Sequence, residues 1–277
     1  MKIELAENYG FCFGVKRAIK IAEENRNAST YGPLIHNANE IDRLAKDFNV
    51  GLTMNYHTFQ AGDKAIIRTH GIPKNELAEL AARKVDIVDA TCPYVTKPQQ
   101  ICEEMSKAGY DIVIFGDESH PEIKGVKSYA IKDALVVSTI ADLIGKKLGE
   151  RIALVAQTTR KVEEYMDIAN YLIPRHKEVR VFNTICNATF ENQEAVRDIS
   201  LRADVMVIIG GKNSSNTKQL YNIAKENCKE SYHIEDEKDL EAEWFRDKQY
   251  CGVSAGASTP DWIIQNVVDA IAKISNN

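Results

Sequence analysis

Apolar, β-branched runs four or five residues long alternate with amphipathic helical stretches along the whole chain, and this constrains the fold more than any other feature. The strand candidates are Ala65–Arg68, Asp86–Asp89, Asp111–Phe115, Ile152–Ala156, Val179–Phe182 and Val205–Ile209. Between and beyond them the helical period recurs over Val15–Glu24, Asn75–Arg83, Val162–Leu172, Thr217–Glu226 and Asp261–Ile274. Strands separated by helices cannot pair as hairpins, so the pattern predicts an α/β fold with mainly parallel sheets. No low-complexity segment or long linker interrupts it.

Six cysteines are the next constraint: Cys12, Cys92, Cys102, Cys186, Cys228 and Cys251. Met1–Glu7 places charges where an export signal needs apolar residues, and no run approaches the roughly 18 to 20 apolar residues of a membrane span. A cytoplasmic location is expected, with no membrane partner. Thiols stay reduced there, which disfavours structural disulfides. The absence of a C-x-x-C pair removes the strongest sign of a zinc site. A net charge of −5 argues against a broad nucleic-acid surface.

Cys12, Cys92 and Cys186 are 80 and 94 residues apart, and 91 residues follow the last. Each precedes a helical stretch. This spacing suggests three small α/β domains, 14–92, 93–185 and 186–277 plus 1–13, with the three cysteines at or beside their boundaries and their thiolates meeting at a common centre. Helix N-termini favour thiolate, but free cysteines are also among the most buried residues. A shared metal centre and buried thiols both stand on this ground. Three thiolates without a fourth ligand would suit a [4Fe–4S] cluster with one iron open to substrate. Cys102, Cys228 and Cys251 fit the buried reading.

Polar loops follow the strands: Thr69-His70-Gly71, Asp117–Glu122, Gln157-Thr158-Thr159, Gly210–Asn216 and Ser254–Pro260. Ligands of open parallel sheets bind at the strands' carboxyl ends, and helix N-termini suit phosphate. His36, His70 and His120 stand where the strand pattern ends and read either as structural residues or as a diphosphate cradle with the Ser- and Asn-rich loops. His57, His176 and His233 read as solvated. Glu122 is a surface carboxylate or, if enclosed, an acid holding a proton at neutral pH. Gly252–Gly256 matches a serine-hydrolase elbow, but no histidine follows Ser254, so it reads as a tight turn. Neither the P-loop nor the G-x-G-x-x-G pattern is present.

The ordered set Tyr9–Val15, Ile35-His36-Asn37, Thr69-His70-Gly71, Asp89–Pro93, His120-Pro121-Glu122, Gln157-Thr158-Thr159, Thr184-Ile185-Cys186, Ser214-Ser215-Asn216 and Gly256-Ala257-Ser258 resembles the 4-hydroxy-3-methylbut-2-enyl diphosphate reductase family over nearly all of the chain. The resemblance implies three small α/β domains in a pseudo-threefold trefoil around a central cavity, with a [4Fe–4S] cluster on Cys12, Cys92 and Cys186. It implies an allylic diphosphate held by His36, His70, His120, Ser214, Ser215, Asn216 and Ser258. Thr158 and Glu122 would stand beside its hydroxyl, and both are expected to act in catalysis. The activity implied is a two-electron reductive dehydroxylation to isopentenyl and dimethylallyl diphosphates, fed by a one-electron donor protein, ferredoxin or flavodoxin. The alternatives are a quinolinate-synthase-like iron–sulfur lyase and a non-catalytic iron–sulfur sensor.

Overall fold

The computed structural model describes residues 1–275. The chain begins with β1 (Lys2–Leu5), α1 (Phe13–Glu24), β2 (Ser29–Tyr31), α2 (Ala38–Phe48), β3 (Gly51–Thr53), β4 (Lys64–Ile67), α3 (Lys74–Ala82) and β5 (Asp86–Asp89). It continues through α4 (Pro93–Lys107), β6 (Asp111–Phe115), α5 (Pro121–Lys127), β7 (Leu135–Val137), β8 (Arg151–Ala156), α6 (Val162–Leu172) and β9 (Glu178–Val181). It ends with α7 (Asn187–Ser200), β10 (Val205–Ile209), α8 (Ser215–Asn227), β11 (Ser231–Ile234), β12 (Tyr250–Ala255) and α9 (Asp261–Ser275). Among the described residues no helix is long and apolar enough to cross a membrane.

Contacts divide the chain into two compact units. One comprises Met1–Lys16, His36–Asp42 and the chain from Asn187 onward; the other comprises Arg17–Ile35 and Arg43–Cys186. The first is built on one parallel sheet of order β1-β12-β10-β11. Along β10, Val205, Val207 and Ile209 face Ile263, Ile264, Val267 and Ile271 of α9. Met206 and Ile208 face Val196 and Ile199 of α7 and Leu220 and Ile223 of α8. Helices on both faces explain why β10 is apolar without interruption. Cys251 lies inside β12, in the α9-facing core.

The second unit holds two parallel sheets, β3-β2-β4-β5 and β7-β6-β8-β9. Phe115 and Leu154 pack on Tyr165 and Ile168 of α6, while Ile112, Ile114 and Val155 pack on Ile101 and Cys102 of α4 and Ile123 and Val126 of α5. Helix α4 therefore leaves the first of these sheets and packs on the second. It tolerates the interior Pro98, although proline donates no N–H to the ladder.

The α/β class with three small parallel sheets is thus what the chain adopts. All three sheets share one strand order relative to the chain: second, first, third, fourth. In the β1-containing sheet the fourth strand comes from the N-terminus. In each, the first and third strands are neighbours whose connections leave in opposite directions, opening a crevice at their carboxyl ends.

Candidate active site

The polar loops singled out in the sequence follow the first and third strands of each sheet. Along the chain, His36, His120 and Ser214 each stand five residues beyond a first strand (β2, β6, β10). Thr69, Thr158 and Ala257 each stand two residues beyond a third strand (β4, β8, β12). The three cysteines follow the fourth strands, and each immediately precedes a helix: α1, α4 or α7.

One backbone bond repeats at all three cysteines. The N–H of Cys92 donates to the Thr69 carbonyl at 3.0 Å, that of Cys186 to Thr158 at 3.0 Å, and that of Cys12 to Ala257 at 3.3 Å. The third-strand loop thus fixes the residue that opens the helix. The six thiols form no disulfide, and Cys12, Cys92 and Cys186 are half-buried while Cys102, Cys228 and Cys251 are buried. Burial pushes the Cys102 and Cys251 thiols up to about 12 and also raises Cys228. The core thiols are thereby inert, whereas the accessible three are soft donors at helix N-termini. That donor set fits an iron–sulfur cluster.

In the unit with two sheets, Glu122 is the second residue of α5 and is 1% exposed. Its Oε1 accepts the Thr158 N–H at 2.7 Å, and its Oε2 accepts the Thr158 hydroxyl at 2.7 Å. Burial lifts the carboxyl to about 7, more than these two bonds lower it. Nδ1 of His120, the residue capping α5, accepts the Glu122 N–H at 3.2 Å. The His70 ring meets His120 edge-on, with centroids 5.4 Å apart. Gly71 adopts a left-handed φ of +68°, which favours glycine beside His70, and a Cβ there would lie 2.8 Å from Gln99 Nε2.

In the other unit, the Ser214 hydroxyl caps α8 by accepting the Thr217 N–H at 3.2 Å, and Ser215 is the first residue of that helix. Asn216 is 5% exposed, and both polar atoms of its side chain lack a hydrogen-bond partner. Such an amide costs stability unless a ligand satisfies it. The Ser258 hydroxyl donates to the His36 carbonyl at 3.3 Å. Gly211 lies so close beneath that carbonyl that a Cβ would approach it to 2.3 Å.

Sequence reasoning assigned no role to two residues. Gln157, fully buried, accepts the Asp117 N–H on Oε1 at 2.9 Å and donates from Nε2 to the Thr159 hydroxyl at 3.1 Å, tying the β6 and β8 loops together. Arg17 of α1 donates to the carbonyls of Asp89 and Thr91. Nothing in local sequence marks either: Arg17 sits at the margin of an apolar helical stripe, and Gln157 reads as one more polar loop residue. His233, read as solvated, is instead half-buried in β11, its Nε2 2.9 Å from the Gly210 carbonyl, and burial lowers its basicity.

A buried carboxyl lifted by burial to about 7, at the switch point of a parallel sheet, is the equipment of an enzyme, and comparison with known proteins says of which kind. Residues 3–272 match the family described as LytB protein. The chain belongs to the LytB family and is an oxidoreductase. A Sulfurimonas denitrificans protein named 4-hydroxy-3-methylbut-2-enyl diphosphate reductase is 75% identical over 271 residues, covering 98% of each chain. A Campylobacter curvus protein of the same name is 66% identical over 273 residues, covering 99% of this chain and 100% of its own. A solved (E)-4-hydroxy-3-methyl-but-2-enyl diphosphate reductase, the terminal enzyme of the non-mevalonate pathway, superposes with a TM-score of 0.72 at 43% identity, covering 98% and 99%. The Plasmodium falciparum E-1-hydroxy-2-methyl-but-2-enyl-4-diphosphate reductase shares the fold, with a TM-score of 0.91 at 24% identity, covering 96% and 86%.

Proposed function

We propose that the chain reduces 4-hydroxy-3-methylbut-2-enyl diphosphate to isopentenyl and dimethylallyl diphosphates. Two electrons and two protons enter, the allylic C–O bond breaks, a C–H bond forms and water leaves. The observation that carries this reading is the buried Glu122 carboxyl engaged on both oxygens by Thr158, in a chain whose full-length relatives bear the reductase name. Those names favour reductive loss of the hydroxyl over the lyase and sensor alternatives.

Cys12, Cys92 and Cys186 would hold a [4Fe–4S] cluster, which when bound supplies single electrons and an open, Lewis-acidic iron for the C–O bond. Glu122, with its carboxyl raised to about 7, holds a proton near neutral pH. The Thr158 hydroxyl, 2.7 Å away, relays that proton to the departing oxygen. His36, His70, His120, Ser214, Ser215, Asn216 and Ser258 bind the diphosphate, and the unsatisfied amide of Asn216 favours polar ligand atoms there. The repeated strand order supports reading the chain as modules 14–92, 93–185 and 186–277 plus 1–13, arranged around the substrate. A cytoplasmic ferredoxin or flavodoxin delivers the electrons.

The test is anaerobic purification, iron and sulfide analysis, and turnover with a chemical reductant. About four of each per chain is expected, with reductant-dependent loss of the diphosphate substrate. A cluster-loaded, reduced protein that leaves the substrate intact overturns the reading, and consumption without reductant points to a lyase.

A further inference from the structure

We infer that Arg17 is a positioning residue for Cys92, and that its charge raises the reduction potential of the centre Cys92 serves. The inference rests on Cys92 being a cluster ligand, as proposed above.

The segment Asp89–Cys92 joins β5 to α4, and neighbouring backbone and side chains take up several of its backbone polar groups. The Ala90 N–H donates to Ile67 at 3.0 Å, and the Cys92 N–H donates to Thr69. The Thr91 N–H donates to Asp89 Oδ1 at 2.8 Å. The Cys92 carbonyl accepts from the Val95 and Thr96 N–H groups. The carbonyls of Asp89 and Thr91 are both taken by one guanidinium: Nη1 of Arg17 donates to Thr91 at 3.2 Å and Nη2 to Asp89 at 3.3 Å. The planar fork spans two carbonyls that a lysine ammonium does not hold in the same fixed geometry. At Cys186 a neutral side chain ties the corresponding loop, since the Thr184 hydroxyl donates to the Ala156 carbonyl at 2.7 Å and accepts the Ala156 N–H at 2.8 Å. The Cys92 loop is thus held by a permanent cation bonded to the carbonyl immediately before the thiolate. Half-buried, that charge is incompletely screened. It stabilises the more negative, reduced state of a thiolate-bound cluster, since net charge is one determinant of cluster potential.

The experiment compares anaerobically purified wild type, Arg17→Gln and Arg17→Lys by iron and sulfide content, redox titration followed by electron paramagnetic resonance, and rate of iron release to a chelator. Circular dichroism checks that each variant is folded. Arg17→Gln should titrate at a more negative potential and release iron severalfold faster than wild type. Arg17→Lys should recover most of the potential but little of the iron retention, separating charge from fork geometry. Folded, cluster-loaded variants with wild-type potential and release rate overturn the inference. If Arg17→Gln does not fold, an unchanged potential in Arg17→Lys together with unchanged iron release overturns it equally. Wild type without iron and sulfide overturns instead the cluster assignment beneath it.

Discussion

Thr158 holds both oxygens of the Glu122 carboxyl, one through its N–H and one through its hydroxyl, each at 2.7 Å. A single residue thus orients the carboxyl and, in the proposed reaction, would also supply its outlet. Replacing Glu122 with Gln keeps the shape and removes the transferable proton. Turnover should fall about 10²- to 10⁴-fold with iron content unchanged. Near-normal turnover in a cluster-loaded variant would remove Glu122 from the mechanism.

The same carboxyl leaves a mark on stability. Its folded pKa of about 7 lies above the ordinary 4.5, so between those values the folded protein keeps a proton that the unfolded chain has lost. The stabilisation is full below about 4.5 and is lost as pH rises through about 7, where a buried carboxylate must form. The difference is on the order of 3 kcal/mol. Denaturant titrations should therefore show Glu122→Gln more stable than wild type at pH about 8, with the gap closing towards pH about 5. A gap that does not change with pH contradicts the raised pKa.

Turnover at saturating substrate should decline as pH rises past about 7, because the protonated form of Glu122 disappears. A flat kcat profile across that range rules out a proton supplied by this residue.

Thr158→Val retains the backbone donor to Oε1 and loses only the hydroxyl. A fall in kcat of roughly 10²-fold is expected, with KM changed little and Thr158→Ser restoring most of the rate. A change confined to KM would make Thr158 a binding residue only.

Asn216→Ala should raise KM by about tenfold or more while leaving the thermal midpoint of the ligand-free protein unchanged or higher, since its two unpartnered polar atoms are a standing cost. A lower midpoint with unchanged KM would make the residue structural.

The long apolar strands were legible because helices cover both faces: Val205–Ile209 and Asp111–Phe115 are read to the residue. The three-residue strands Ser29–Tyr31, Gly51–Thr53 and Leu135–Val137 were not, because so few residues carry no periodicity and sheet pairing alone defines them. The extent of α4 is not marked in the sequence, because Pro98 falls inside it and an interior proline ordinarily ends a helix. Glu122 and Thr158 were marked by their place after strands, but their mutual contact spans two β–α connections and has no local signature. The common strand order of the three sheets is a property of pairing, invisible in side-chain sequence.

Strand β1 completes its sheet by pairing with β12, register Lys2 to Tyr250. During synthesis the first strand made must wait for nearly the last. At ordinary translation rates that wait is on the order of tens of seconds, with a four-residue edge unpaired meanwhile. The short length and the charges of Lys2 and Glu4 suit a segment that has to remain solvated until its neighbour leaves the ribosome. The same adjacency makes the chain a natural substrate for circular permutation: moving Met1–Leu5 behind α9 through a linker would let that sheet form from one contiguous stretch.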